Sequence, residues 1–137
     1  MQKIEGLSGE DPMKKSHNED LKKTILTYAT SKKKAVSDFP FDEVTEVIKV
    51  MGKIFLLVNS EEPFEISLKC NPMKSVELRE LFEFIRPGYH LDKKHWITVT
   101  LNNSMPMEFF YELIDHSYEE VVKKLTKDQR QELLEKS

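Results

Sequence analysis

From Phe64 to Cys70 the chain alternates without a break, with Phe64, Ile66, Leu68 and Cys70 in one phase and Glu65, Ser67 and Lys69 in the other. Side chains on an extended chain point to opposite faces in turn, so this segment predicts a β-strand with one buried and one solvated face. Such a strand commits the chain to a sheet whose apolar face a second layer must cover. Thr45 to Val50 and Ile54 to Val58 are rich in β-branched and apolar residues and flank Met51-Gly52-Lys53, the pattern of a hairpin. Ser60-Glu61-Glu62-Pro63 marks the next turn. Trp96 to Leu101 alternates again, with Ile97, Val99 and Leu101 opposed to Trp96, Thr98 and Thr100. Tyr89 to Lys94, before it, reads as a polar, basic connection with room for a further extended piece.

Helical periodicity fills the intervals. Leu21, Ile25, Tyr28 and Ala29 form an apolar stripe after Asn18, a suitable N-cap, and Lys32, Lys33 and Lys34 close that helix where its dipole favours cations. Asn71-Pro72 opens a second helix with the stripe Leu78, Leu81, Phe82 and Ile85, and Pro87-Gly88 ends it. Phe110, Leu113, Ile114, Ser117, Val121 and Leu125 mark a third helix, expected to be the longest. Helix, three meandering strands, helix, one or two strands, helix is not the strict alternation of a parallel α/β fold. The expected class is α+β, an antiparallel β-sheet with helices packed mainly on one face and the other face free for recognition.

At 137 residues, 39% apolar and 33% charged, the chain fits one domain with its own core. Residues 1–16 read as a flexible leader, 17–125 as the domain, and 126–137 as a charged C-terminal tail or short helix. Cys70 stands alone, no stretch approaches the roughly 18 apolar residues of a membrane span, and the start lacks a signal-peptide core. A cytoplasmic protein without membrane contact, monomeric by default, is expected. The net charge of -3 argues against wholesale wrapping of nucleic acid yet leaves room for a local basic patch.

Catalytic and cofactor chemistry find little support. His90, His95 and His116 with Asp92 and Asp115 match no common zinc spacing, and Asp115 and His116 are helix neighbours that diverge. Cys70 falls in the buried phase of its strand, where a thiol is inert. The four glycines form no phosphate loop. No catalytic residue, metal or cofactor is therefore assigned. The run from Arg86 to Trp96 is the most informative: Arg86, Lys93 and Lys94 outweigh Asp92 by two charges, with Tyr89, His90, His95 and Trp96 interleaved. Cations attract phosphate, and an exposed Tyr or Trp could stack on a base. In the bland alternative Trp96 fills the core and the lysines solubilise a turn. Residues 14–34 carry a local charge of +5, which reinforces the first reading only if that helix faces the same side.

Phe39-Pro40-Phe41, the hairpin Val50 to Phe55, the strand Ile66 to Pro72, the run Pro87 to Trp96, and Leu113-Ile114-Asp115-His116-Ser117-Tyr118 together resemble the MmcQ/YjbR family of small bacterial proteins over residues 17–125. The resemblance implies a frataxin-like (CyaY-like) α+β fold and DNA binding through a double-wing arrangement. It implies Lys69, Tyr89, His90, Lys93, Lys94, His95 and Trp96, with the hairpin lysines Lys49 and Lys53, as the contact residues; Arg86 joins them on charge. Two other readings remain open: a small-ligand protein or enzyme with a His/Tyr/Trp site at the same turn, and a protein-interaction adaptor using an uncovered apolar patch.

Overall fold

The alternating segment becomes β4, Glu65–Lys69, an interior strand of a six-stranded antiparallel sheet. The computed structural model describes residues 12–88, 91–102 and 105–135, with side chains from residue 17 onward. The elements in chain order are α1 (Pro12–Thr30), β1 (Ala35–Asp38), β2 (Thr45–Val50), β3 (Lys53–Asn59), β4, α2 (Pro72–Leu81), β5 (Ile85–Pro87), β6 (Trp96–Thr100), α3 (Met107–Val122) and α4 (Lys127–Glu135). Strand order across the sheet is β1-β2-β3-β4-β6-β5. Val50 pairs with Lys53, leaving Met51 and Gly52 as a two-residue turn with both φ angles positive, 52° and 81°. That backbone matches the twist of the flanking strands, and glycine adopts it without strain.

Ile48, Leu56, Val58, Ile66, Leu68, Ile97 and Val99 all point to one face, where they form the core with Ile25 and Ala29 of α1 and Phe110, Leu113, Ile114 and Val121 of α3. Ser117, fully buried on α3, donates to the Phe55 carbonyl (2.5 Å) and accepts from the Lys69 amide (2.9 Å), so it ties α3 to two strands at Phe55, the residue the β2–β3 register skips. A second link joins the helices: the Tyr28 hydroxyl donates to Asp115 (2.7 Å), and Lys32 forms an ion pair with the same carboxylate.

The expected α+β class holds, with differences at the element ends. α1 starts at Pro12, inside the segment read as a leader, and at 19 residues it exceeds the 16 of α3. Proline at a first helical position costs nothing, because its missing N–H would be unpaired there. α2 stops at Leu81 because Phe82 turns extended (φ -130°, ψ 121°), and Ile85 belongs to β5 instead of the helical stripe. β1, an edge strand of four residues, was absent from the expectation. Thr126 and Gln129 cap each other reciprocally at 3.1 Å, which breaks the chain into a separate α4.

Candidate nucleic-acid interface

The face of the sheet opposite the helices is not bare. Across it run Asp38, Val47, Leu57, Ser67, Thr98 and Arg86, one from each strand in register. Val47 and Thr98 are buried although they lie outside the helix-side core, and so is Trp96, at 8% exposure. Phe41, Asp42 and Leu91, from two loops, lie over this face, with Phe41 and Leu91 flanking a cleft floored by Leu57, Ser67 and Thr98.

Antiparallel register decides which strand ends coincide. Leu56 faces Leu68, so the Lys53 end of β3 lies with the Lys69 end of β4; Lys69 faces Trp96, and Pro87 faces Ile97, which brings Gly88 beside Trp96. The β2–β3 turn with Lys49 and Lys53, the side chain of Lys69, and both roots of the 88–95 loop therefore share one end of the sheet. Gly88 donates to the Trp96 carbonyl at 2.8 Å, closing the loop's neck. A Cβ on Gly88 would sit 2.6 Å from the Trp96 Cβ, so the strand and loop meet where only glycine fits. Within the loop, Asp92 accepts from the Lys94 amide (2.9 Å) and pairs with the His95 ring (2.7 Å). The His95 hydrogen bond and then the Lys94 amide hold the Asp92 carboxyl below its usual range.

The candidate residues are not equivalent. Lys53, Lys93 and Lys94 are exposed, and Lys69 is half-buried with its Nζ 5.4 Å from the Trp96 ring centre. Lys49 has Asp38 at 3.9 Å. Arg86 is exposed yet bonded to Glu65 at 2.8 Å, so much of its charge is already met. Trp96 is buried beneath Gly88 and Lys69, which removes it from base stacking. Tyr89 and His90 lie outside the described residues.

The lysines of residues 14–34 were to reinforce this surface only if their helix faced the same side, and it does not. α1 packs on α3 and on the helix side of the sheet. There Lys32 meets Asp115, Lys34 meets Glu132 at 3.6 Å, Lys33 reaches the Leu134 carbonyl at 3.3 Å, and Lys22 reaches the Ser60 carbonyl at 3.5 Å. Helix cations serve the helical layer.

The histidine and cysteine groups do not converge. His116 Nε2 accepts from the Asn71 amide at 3.1 Å, far from the use His95 makes of Asp92. Burial pushes the Cys70 thiol up to about 11, the opposite of nucleophile activation. Among the described residues no three His, Cys, Asp or Glu gather to hold a metal ion, and no helix is long and apolar enough to cross a membrane. Phe55 and Trp96 are buried, so the uncovered apolar patch an adaptor would use lacks two of its expected members. The cleft floor went unmarked in the sequence, although Ser67 and Thr98 were in the solvated phases of their strands.

These features define a small α+β protein whose antiparallel sheet is covered by helices on one face and by two loops on the other. The chain belongs to the YjbR family, whose model matches residues 30–120. It is 34% identical over 112 residues to the uncharacterized protein YjbR of Escherichia coli K12, covering 81% of this chain and 95% of that one. It is 38% identical over 91 residues to the uncharacterized protein YbdF of Escherichia coli O157:H7, covering 65% of this chain and 74% of that one. Among solved structures, Deinococcus radiodurans protein DR2400, of family-model domain DUF419, superposes with a TM-score of 0.72 at 40% identity, covering 79% of this chain and 84% of the other. A Pseudomonas syringae protein gives 0.60 at 26% identity, over 69% and 93%.

Proposed function

We propose that this protein is a non-enzymatic DNA-binding module and that residues 17–125 form the binding unit. It meets duplex phosphates with the end of the sheet that carries Lys49, Lys53, Lys69, Lys93 and Lys94. The observation that carries the reading is the shared strand end: Lys49, Lys53 and Lys69 lie there with the roots of the loop that bears Lys93 and Lys94, and Asp38, Asp92 and Glu65 are the nearby acids. The β2–β3 turn and the 88–95 loop act as two projections that straddle the backbone, and Lys69 sits on the sheet between them. Arg86 contributes less than its exposure suggests, because Glu65 holds it. His95 contributes through the orientation of the loop. Specificity comes from Tyr89 and His90 or from duplex shape, since Trp96 is covered.

Each phosphate contact releases counterions, so log K against log salt falls with a slope of roughly -0.9 per contact on duplex DNA. Fluorescence anisotropy of a labelled duplex, titrated at several salt concentrations, tests this. A slope of about -3 to -5 is expected for three to five lysine contacts. Salt-insensitive binding, or none at low salt, contradicts the reading.

A further inference from the structure

Beyond the basic end, the open face sinks into a cleft of about 580 Å³, within the usual size for a small-molecule site. Its floor is Leu57, Ser67 and Thr98, its walls are Phe41 and Leu91, and carboxylates stand at its rim on Asp42 and Glu65. No lysine or arginine lines it, and Arg86 already holds Glu65 at 2.8 Å, so Asp42 carries the rim charge left for a ligand. Phe41, 65% exposed, stands at the cleft's edge with its ring uncovered. Ser67 Oγ and Thr98 Oγ1 are 3.0 Å apart and bonded to each other. One hydroxyl hydrogen closes that pair, so the other is left to point at whatever fills the cleft. Asp42 is fixed in place: its Oδ1 accepts from the amides of Val44 (2.9 Å) and Thr45 (2.7 Å), which leaves lone pairs on Oδ2 beyond its 3.3 Å bond from the Thr45 hydroxyl.

We propose that this cleft binds a planar aromatic nitrogen base, neutral or protonated. Its ring lies between Phe41 and Leu91 on Leu57, its nitrogen donors meet the Asp42 carboxylate, and an acceptor atom takes the free hydroxyl hydrogen of the Ser67–Thr98 pair. Flat apolar walls favour an aromatic ring, and the Asp42 carboxylate selects against anions. Phosphate-bearing ligands are thus turned away from the cleft and left to the lysine end, so this inference stands or falls apart from the DNA reading.

Three matched bicyclic probes test it: naphthalene-2-carboxamidine (cation), naphthalene-2-carboxamide (neutral) and naphthalene-2-carboxylate (anion). Each is titrated into ¹⁵N-labelled full-length protein while amide resonances are followed. The amidine and amide are expected to shift Leu57, Ser67, Leu91 and Thr98, with the carboxylate roughly tenfold weaker or silent. Leu57→Trp, which fills the cleft, abolishes the shifts while the spectrum stays dispersed; if that variant does not fold, Ser67→Leu serves in its place. Carboxylate binding equal to that of the amidine, shifts confined to other surfaces, or persistence of the shifts in the filled variant overturns the proposal, as does the absence of shifts with all three probes.

Discussion

Gly88 is the point where the loop over the open face comes closest to the sheet. Because the Trp96 Cβ and carbonyl would lie 2.6 and 3.2 Å from an added methyl, Gly88→Ala forces the strand and the loop neck apart. The expected loss is about 1–3 kcal/mol, read as a lowered midpoint in urea unfolding; an unchanged midpoint would show that the neck yields freely. His116 is the second telling residue. Only a neutral ring can accept the Asn71 amide, and burial followed by the charge of Lys74 holds its pKa below the ordinary 6.5. The unfolded chain therefore takes up this proton first as pH falls. The stability tied to neutral His116 is complete above about pH 6.5 and is lost progressively below it, toward the lowered folded value. His116→Gln should flatten that slope below pH 6.5 in denaturation series, while the lowered carboxyls of Asp42 and Asp92 act only at more acidic pH. Cys70, buried and with its thiol pKa raised to about 11, should resist thiol reagents at neutral pH until denaturant is added.

At the scale of elements, the contact between α1 and α3 depends on Asp115. Its carboxylate accepts the Tyr28 hydroxyl and pairs with Lys32, which also stands 5.0 Å from the Tyr28 ring centre. Asp115→Ala should destabilise by about 1–2 kcal/mol, and the cycle with Tyr28→Phe should be non-additive; additivity would mean the hydrogen bond carries none of the coupling. Neither partner was visible in the sequence as a pair, because 87 positions separate them. What was legible there followed strong local rules. The alternation of β4 and β6, the β2–β3 hairpin, the Asn71-Pro72 start of α2 and the apolar stripe of α3 are set by side-chain period, cap and turn chemistry. The Asn71 carboxamide does accept from the amides of Met73 and Lys74, at 2.9 and 3.3 Å. β5 was missed because Ile85 continues the spacing of Leu78, Leu81 and Phe82, and only pairing with β6 reveals that the helix has already ended. β1 was missed because an edge strand with pattern half-buried then exposed has no alternation to read. The cleft was hidden for the same reason: its floor is drawn from strands β3, β4 and β6, and its walls from loops far apart in sequence.

Taken whole, the molecule divides its charge by face. On the helix side Lys32, Lys33 and Lys34 are engaged internally, against Asp115, the Leu134 carbonyl and Glu132. The open side leaves Lys93 and Lys94 exposed, with Lys53 opposite the core residue Val50 on the turn at the same end of the sheet, and carboxylates around the cleft beyond. An overall charge of -3 is thus compatible with a local cationic surface. Lys93→Ala/Lys94→Ala should reduce the salt slope of duplex binding by roughly 2, since two phosphate contacts are lost, whereas Lys23→Ala on the helix side should leave it unchanged. The most direct measurement of the central claim is an amide chemical-shift footprint of the protein on a short duplex. Perturbations clustered at residues 49–53, 69 and 93–96, with α1 and α3 silent, are predicted. Perturbations centred on α1, or spread evenly around the molecule, would contradict the account.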